Sequence, residues 1–201
     1  MHPQLERRRL LQAPWAQPQP ALFLDRDGVL IEDRHHLSDP AQVELCPGAQ
    51  QLLHEANKHH WPVVVITNQS GISRGYFEWG SYERVTDRLL ELVGAETPIA
   101  AIYANGHGPD APPNSWRKPS PGMLQAAKAD LNLDLGRSLL IGDRLSDLEA
   151  GAQARVDSLF HVLSGHGSEE RHLLQGWTNP LKPFLLNSLL EFPVERLSCQ
   201  P

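Results

Sequence analysis

The stretch Ala21–Leu30 restricts the fold more than any other part of the chain. Four apolar residues lead directly into Asp25 and Asp27, and a glycine follows. A short apolar run of this kind is typical of a strand that is buried on both faces of a parallel sheet. Its carboxyl end then lies at the rim where open α/β sheets bind ligands. Because side chains at i and i+2 of an extended chain share one side, we expect Asp25 and Asp27 to face one pocket and Arg26 to point away.

Two carboxylates this close repel each other unless they share a cation. Mg²⁺ suits the arrangement, because it is held by one or two carboxylates together with water and phosphate oxygens. A second interpretation is a strand end followed by a polar turn, since Asp and Gly are common turn residues. Asp25 and Asp27 alone leave both interpretations open.

Further apolar runs alternate with helical patterns along the chain. Strands are predicted at Val63–Ile66, Ile99–Ala104, Ser138–Asp143 and Ser158–Leu163, and helices begin at Pro47, Gly80, Pro121 and Asp147. The alternation predicts an α/β fold, a doubly wound (Rossmann-like) parallel sheet with helices on both faces. We expect residues 1–20 to form an extended arm, residues 21–164 the core, and residues 165–201 an extension that either packs on the sheet or serves as a dimer contact. Its last residues, Cys199–Pro201, are expected to be frayed.

Composition narrows the function classes. The chain has 201 residues, enough for one sizeable domain, and a formal charge of −6, which argues against a nucleic-acid or membrane surface as partner. The basic run Arg7–Arg9 is interpreted as a loose, solvated tail. No apolar stretch approaches the roughly 20 residues that span a bilayer, and no secretory signal is evident. The two cysteines, in no paired spacing, fit the cytoplasm. A small-molecule ligand and a monomer or small homo-oligomer are expected.

Polar residues collect where the predicted strands end. They are Asp25 and Asp27, Thr67 and Asn68, and Asp143 and Asp147, with Lys118 arriving from a loop. Each cluster alone fits a structural role, such as capping a turn or the following helix, and a lysine before proline is most often solvated. Their order and common position at one sheet edge favour a single site.

This ordered set resembles the motifs of the haloacid dehalogenase superfamily of phosphohydrolases. Asp25-x-Asp27-Gly28 is similar to the first motif, Thr67 to the second, Lys118 to the third, and Gly142-Asp143-x-x-x-Asp147 to the fourth. The longer stretches Thr67–Gly75 and Arg117–Met123 resemble a narrower branch. It contains the D-glycero-D-manno-heptose 1,7-bisphosphate phosphatases and the histidinol-phosphate phosphatases, whose members have little or no cap domain.

The resemblance implies a Mg²⁺-dependent phosphatase of a small phosphorylated metabolite, such as a sugar phosphate or bisphosphate. Asp25 would form an aspartyl-phosphate and Asp27 would act as general acid and base. Thr67 and Lys118 would hold the phosphoryl group. The implied magnesium ligands are Asp25, the backbone carbonyl of Asp27, and Asp143.

Other roles stay open at this point. Asp147 is either a water-mediated metal ligand or a partner that orients Lys118. Asn68, Arg74 and Arg117 would contact the rest of the substrate, the two arginines suiting a second phosphate or another anionic group. Alternatives to a heptose bisphosphate phosphatase are a histidinol-phosphate phosphatase, a phosphotransferase, or a non-catalytic phosphate-binding protein on the same scaffold.

The chain departs from the branch in two loops. The branch usually carries a structural zinc site of cysteines and a histidine, but here the matching positions read Ala104–His107 and Asn114–Trp116, without cysteine. A lone histidine cannot complete a tetrahedral site, so we expect no structural zinc and a loop held by its prolines and by Trp116 packing on the sheet. His35 and His36 stand where the branch often has Gly-Tyr, and they either contact substrate or are solvated.

Overall fold

Seven strands form one sheet in the computed structural model, which describes residues 4–198. The strands are β1 (Glu6–Leu10), β2 (Leu22–Leu24), β3 (Val63–Asn68), β4 (Ile99–Asn105), β5 (Leu139–Gly142), β6 (Ser158–His161) and β7 (Phe184–Leu185). The α-helices are α1 (Ala49–Lys58), α2 (Trp79–Val93), α3 (Gly122–Leu131), α4 (Leu145–Ala154) and α5 (Gly167–Glu170). Short 3₁₀ helices cover Pro40–Gln42, Leu135–Arg137, Arg171–Gly176, Leu189–Glu191 and Val194–Leu197.

The sheet has the order β1-β4-β3-β2-β5-β6-β7, and every neighbouring pair is parallel except β1 with β4. Leu22 and Leu24 of β2 join a core with α1 and α2, whereas Phe23 joins a second core with α3 and α4. Burial on both faces explains the unbroken apolar run of this strand. The predicted doubly wound parallel sheet is confirmed, and no further domain is inserted in the connections between β2 and β4.

Part of the predicted N-terminal arm lies in the sheet. Strand β1 runs antiparallel along the edge of β4, and its arginines alternate between the two faces. Arg7 and Arg9 pair with acidic residues of α2, and Arg8 pairs with Asp130 of α3. The expectation of a loose tail at Arg7–Arg9 is therefore wrong, because these charges find partners on the neighbouring helices.

The C-terminal segment packs against the same domain. Strand β7 extends the sheet beyond β6, and Leu186, Leu189, Phe192 and Leu197 are buried in the core that contains α1. The indole nitrogen of Trp61 donates a hydrogen bond of 2.8 Å to the carbonyl of Leu197. Of the two roles considered for this segment, packing on the sheet is the one the structure shows. Cys199–Pro201, predicted to be frayed, lie outside the described residues.

The sheet order places the candidate site. The connections from β2 lead to β3 and β4 on one side, while β5 and β6 lie on the other, so the order in which strands are added to the sheet reverses between β2 and β5. The carboxyl ends of strands at such a switch point form a crevice that binds ligands. Asp25 follows β2 and Asp143 follows β5, at this crevice. Among residues 4–198, no helix is long and apolar enough to cross a membrane.

Candidate active site

Lys118 is the buried cation of the site. Its Nζ lies 2.9 Å from Asp25 Oδ1 and 2.6 Å from Asp147 Oδ1, and it donates a hydrogen bond of 3.0 Å to the carbonyl of Ile66. Burial opposes its positive charge, but the carboxylates of Asp147 and Asp25 outweigh this effect and raise the pKa of Lys118 above its ordinary value. The contact with Asp147 matches the second of the two roles predicted for that residue, the orientation of Lys118.

Three carboxylates meet beside this lysine. Asp25, Asp143 and Asp147 each offer an oxygen within 4.8 Å of the others, and all three residues are buried. The pKa of Asp25 is raised to about 7, chiefly by burial; Lys118 opposes this rise, and neighbouring Asp147 and Asp27 contribute to it. Burial, with Asp147 and Asp25 nearby, also raises the pKa of Asp143 well above its usual value. This cluster is unfavourable for the protein alone, because charged carboxylates need compensation when buried.

The cluster fits a divalent cation held by oxygen ligands. Asp143 Oδ2 accepts a hydrogen bond of 2.7 Å from the backbone nitrogen of His166, whereas Oδ1 is buried without a hydrogen-bond partner among the described residues. Three carboxylates against the single ammonium of Lys118 leave two negative charges, which one divalent ion would balance. Mg²⁺ prefers such carboxylate oxygens together with water and phosphate.

Two glycines make room for Asp143. Gly28 has φ +85° and Gly165 has φ +56°, both in the left-handed region. A Cβ atom on Gly28 would lie 2.5 Å from Asp143 Oδ2, and one on Gly165 would lie 2.3 Å from the same oxygen. The hydroxyl of Ser164 donates a hydrogen bond of 2.6 Å to the carbonyl of Gly28, which joins the turn after β2 to the segment after β6. Asp143 is thus enclosed by backbone on two sides.

Asp27 has a different set of partners. The guanidinium of Arg26 donates to both of its oxygens, at 3.1 Å from Nε and 3.0 Å from Nη2. Gln69 Nε2 donates to Asp27 Oδ2 at 2.7 Å and to Thr67 Oγ1 at 2.8 Å. Arg26 is fully buried and lies over the ring of Tyr82 at 5.1 Å. Arg26 is not among the residues that line the cavity, in keeping with the prediction that it points away from the pocket. Its guanidinium nevertheless returns to hold the Asp27 carboxylate, a contact that the sequence did not predict.

Asn68 positions the lysine. Its Nδ2 donates to the carbonyl of Lys118 and its Oδ1 accepts from the Lys118 backbone nitrogen, both at 3.1 Å. This paired contact fixes the loop before α3 on the end of β3. Asn68 also lines the cavity, and its predicted contact with substrate stays a prediction.

A cavity of about 710 Å³ opens over these residues. It is lined by Asp25, Asp27, Thr67 and Lys118, by three arginines (Arg74, Arg117 and Arg144), and by the loops that follow β2 and β6. Burial lowers the pKa of Arg117, and the nearby charges of Arg74 and Arg144 lower it further. The guanidinium groups of Arg74 and Arg144 therefore both act on Arg117, and this concentration of positive charge suits an anionic group in the cavity.

The loop between β4 and Lys118 is held by protein contacts. Glu6 Oε1 accepts a hydrogen bond of 2.7 Å from the Trp116 backbone nitrogen, and the Trp116 ring packs on Tyr103 of β4 at 5.5 Å. Arg117 Nη1 donates to the carbonyl of His107 at 2.8 Å. The predicted packing of Trp116 on the sheet is confirmed. Glu6 adds a tether from β1 that the sequence did not predict.

Several site residues were missed in the sequence. Gln69 stands two positions after Thr67, so the alternation along an extended chain could have placed it beside Asp27. No comparable pattern in the sequence indicated a site role for Arg26, His166 or Glu170. Glu170 Oε2 accepts a hydrogen bond of 2.8 Å from the backbone nitrogen of Leu145 at the start of α4, a contact made across 25 residues of sequence.

The comparison with known proteins first defines the class. Residues 115–191 match a family model described as "HAD-hyrolase-like". A D-glycero-beta-D-manno-heptose-1,7-bisphosphate 7-phosphatase from Salmonella typhi is 32% identical over 186 residues, which cover 89% of this chain and 95% of that protein. The chain therefore belongs to the haloacid dehalogenase-like phosphatases, and the resemblance drawn from its motifs is confirmed.

Two further relatives are also named as heptose 1,7-bisphosphate phosphatases. An enzyme called D-glycero-beta-D-manno-heptose-1,7-bisphosphate 7-phosphatase from Mesorhizobium japonicum is 47% identical over 142 residues. The match covers 67% of this chain and 65% of the Mesorhizobium enzyme, so this chain spans slightly less than two thirds of that enzyme's length. The crystal structure of the D,D-heptose 1,7-bisphosphate phosphatase from B. bronchiseptica, complexed with magnesium and phosphate, superimposes with a TM-score of 0.78 at 30% identity and covers 90% of this chain and 98% of that one.

Proposed function

We propose that the chain is a Mg²⁺-dependent phosphomonoester hydrolase that removes one phosphate from a sugar bisphosphate of the heptose 1,7-bisphosphate type. The observation that carries the proposal is the cluster of Asp25, Asp143 and Asp147 beside Lys118, of which Asp25, Asp147 and Lys118 line the cavity. A carboxylate nucleophile, a cation for the phosphoryl group and a metal site are the parts that phosphoryl transfer needs.

The positions of the side chains support the following reaction. An Asp25 oxygen attacks phosphorus, the bond from phosphorus to the sugar oxygen breaks, and protonated Asp27 gives its proton to the leaving alkoxide. Asp27 then takes a proton from water, whose oxygen attacks the phosphorus of the aspartyl-phosphate and frees inorganic phosphate. Lys118 and the hydroxyl of Thr67 hold the phosphoryl oxygens. Asp25, the Asp27 carbonyl and Asp143 would hold Mg²⁺, which would supply positive charge for the phosphate.

The remaining cavity suits a second phosphate. Arg74, Arg117 and Arg144 place three positive charges along the wall, and guanidinium groups bind phosphate through paired hydrogen bonds. The cavity volume lies within the usual range for small-ligand sites. The names of the relatives support a heptose bisphosphate over other sugar phosphates.

Release of phosphate from a panel of phosphorylated compounds tests the proposal. The panel contains both anomers of heptose 1,7-bisphosphate, histidinol phosphate and an aryl phosphate. We expect the heptose bisphosphates to be turned over with the highest kcat/KM, and Asp25→Asn to abolish turnover while Asp110→Asn, an exposed carboxylate, retains it. Full activity of Asp25→Asn would refute the nucleophile. Preference for histidinol phosphate would replace the substrate, and bound Mg²⁺ without turnover would favour a phosphate-binding protein.

The other expectations stay proposals. The loop 105–117 holds no structural zinc, an assignment supported by the contacts of Glu6, Trp116 and Arg117 that anchor it. Metal analysis that finds one tightly bound zinc per chain, lost on His107→Ala, would contradict this. The cytoplasm as location fits the cysteine content, and cell fractionation tests it. A monomer or small homo-oligomer as assembly stays a prediction that sedimentation measurements test.

A further inference from the structure

A second group of metal-binding side chains lies at the wall of the cavity and takes no part in the proposed hydrolysis. Asp33, His35 and His166 each offer one ligand atom within 4.8 Å of the others. Asp33 and His35 belong to the loop after β2, and His166 belongs to the segment after β6. We propose that these three residues form an exchangeable site for one divalent transition-metal ion such as Zn²⁺.

Short contacts already hold the three residues together. Asp33 Oδ2 lies 2.9 Å from His166 Nε2, and Asp33 Oδ1 accepts a hydrogen bond of 2.9 Å from the backbone nitrogen of His35. The rings of His35 and His166 are 5.8 Å apart, centroid to centroid. His35 and His36 have φ values of +45° and +57°, so the loop turns sharply at this point. One carboxylate therefore contacts both histidine-bearing segments.

The ring of His166 also has the second contact that metal-bound histidines usually have. Its Nδ1 lies 3.2 Å from Glu169 Oε2. A histidine that binds a metal through one nitrogen commonly donates a hydrogen bond from the other to a carboxylate, which fixes the tautomer. Here Nδ1–H would donate to Glu169, and Nε2 would be left as the metal ligand. Without an ion, the same contacts hold the His166 ring between Asp33 and Glu169.

The ligand types separate this site from the magnesium site. Two imidazoles and one carboxylate suit Zn²⁺, Ni²⁺ or Co²⁺, whereas the three carboxylates around Lys118 suit Mg²⁺. Three protein ligands leave at least one coordination position for water or for an oxygen of a molecule in the cavity. The ion would thus exchange with solvent, unlike a structural zinc enclosed by four protein ligands.

Titration with Co²⁺ tests the site directly, because tetrahedrally bound Co²⁺ absorbs visible light and Mg²⁺ does not. The titration uses untagged protein carrying Asp25→Asn, in excess Mg²⁺, so that binding at the catalytic carboxylates does not contribute. We expect one equivalent of Co²⁺ per chain, displaced by Zn²⁺. His35→Ala or Asp33→Asn should lower the affinity about 100-fold, and Glu169→Gln about 10-fold. His36→Ala, the adjacent histidine outside the cluster, is the matched control and should bind as before.

Two results would overturn the proposal. One is the absence of Co²⁺ binding in protein whose circular dichroism shows a folded chain. The other is binding that survives both His35→Ala and Asp33→Asn, two changes in a loop whose side chains are exposed or half-buried. Since metal binding is measured without turnover, either failure leaves the proposed hydrolase standing.

Discussion

Replacing the proposed nucleophile should stabilise the metal-free protein at alkaline pH. Asp25, Asp143 and Asp147 are buried around one ammonium group, so without a divalent ion their charges are only partly compensated. Asp25→Asn removes one of these charges and keeps the shape of the side chain. The free energy of unfolding of the variant should therefore exceed that of the wild type in the presence of a chelator.

The pKa of Asp25 gives the sign and the size of the effect. Burial raises that pKa from 3.8 to about 7, so between these values the folded protein binds a proton that the unfolded chain releases. The free energy of unfolding then falls as the pH rises through this window, by at most about 4 kcal/mol. Asparagine avoids this loss and keeps an Oδ1 that accepts from Lys118, but the charge-assisted hydrogen bond becomes a weaker neutral one, at a cost of about 1–3 kcal/mol. We expect a net gain of about 1–3 kcal/mol at pH about 8.

Urea unfolding in EDTA measures the difference, with Asp110→Asn as the control for removing an exposed carboxylate. The gain should shrink by about half or more at pH about 5, where Asp25 is already protonated in the folded wild type. Saturating Mg²⁺ should reverse the order, because the ion binds the wild type more tightly and stabilises it by mass action. A variant less stable than the wild type in EDTA at the alkaline pH would refute the electrostatic reasoning.

Three further changes test the contacts around the site. Gly165→Ala would place a Cβ against Asp143 Oδ2. We therefore expect Mg²⁺ to bind about 10-fold more weakly, as measured by titrating activity against the ion. An unaltered Mg²⁺ dependence would contradict the enclosure of Asp143. Glu6→Ala removes the acceptor for the Trp116 backbone nitrogen and should cost about 1–2 kcal/mol in urea unfolding with a raised KM, whereas Glu6→Gln, which keeps an acceptor oxygen, should restore both. Arg74→Gln should lower the ratio of kcat/KM for a heptose bisphosphate to that for an aryl phosphate about 10-fold; an unchanged ratio would remove Arg74 from the second phosphate site.

The central strands and the acidic cluster could be predicted because their signals are local. An apolar run that stops at an aspartate marks both a buried strand and its ligand-binding end, and Asp25 and Asp143 each follow such a run. Lys118 was assigned to the site through the motif resemblance, because it reaches the cluster from a loop without regular structure. Its burial between Asp25 and Asp147 depends on the tertiary fold alone.

The residues that escaped prediction make contacts across long stretches of sequence. The sequence of strand β1 was interpreted as a charged tail, because the partners of its arginines lie on α2 and α3, more than 70 positions away, where local sequence patterns do not reveal them. His166 reaches Asp143 through its backbone nitrogen, which no side-chain pattern reveals. Such contacts become visible only once the sheet order brings the segment after β6 beside the turn after β2.

Arg26 changes the reason why the site needs a divalent ion. The sequence suggested that Asp25 and Asp27, as adjacent like charges, must share one cation. In the structure each has its own, since Arg26 pairs with Asp27 and Lys118 with Asp25. The excess negative charge comes instead from Asp143 and Asp147, which join Asp25 around the lysine. The excess charge that the proposed Mg²⁺ would balance therefore arises where β5 meets β2. Asp27 stays outside the carboxylate cluster, held by Arg26 and Gln69, as the proposed role in proton transfer requires.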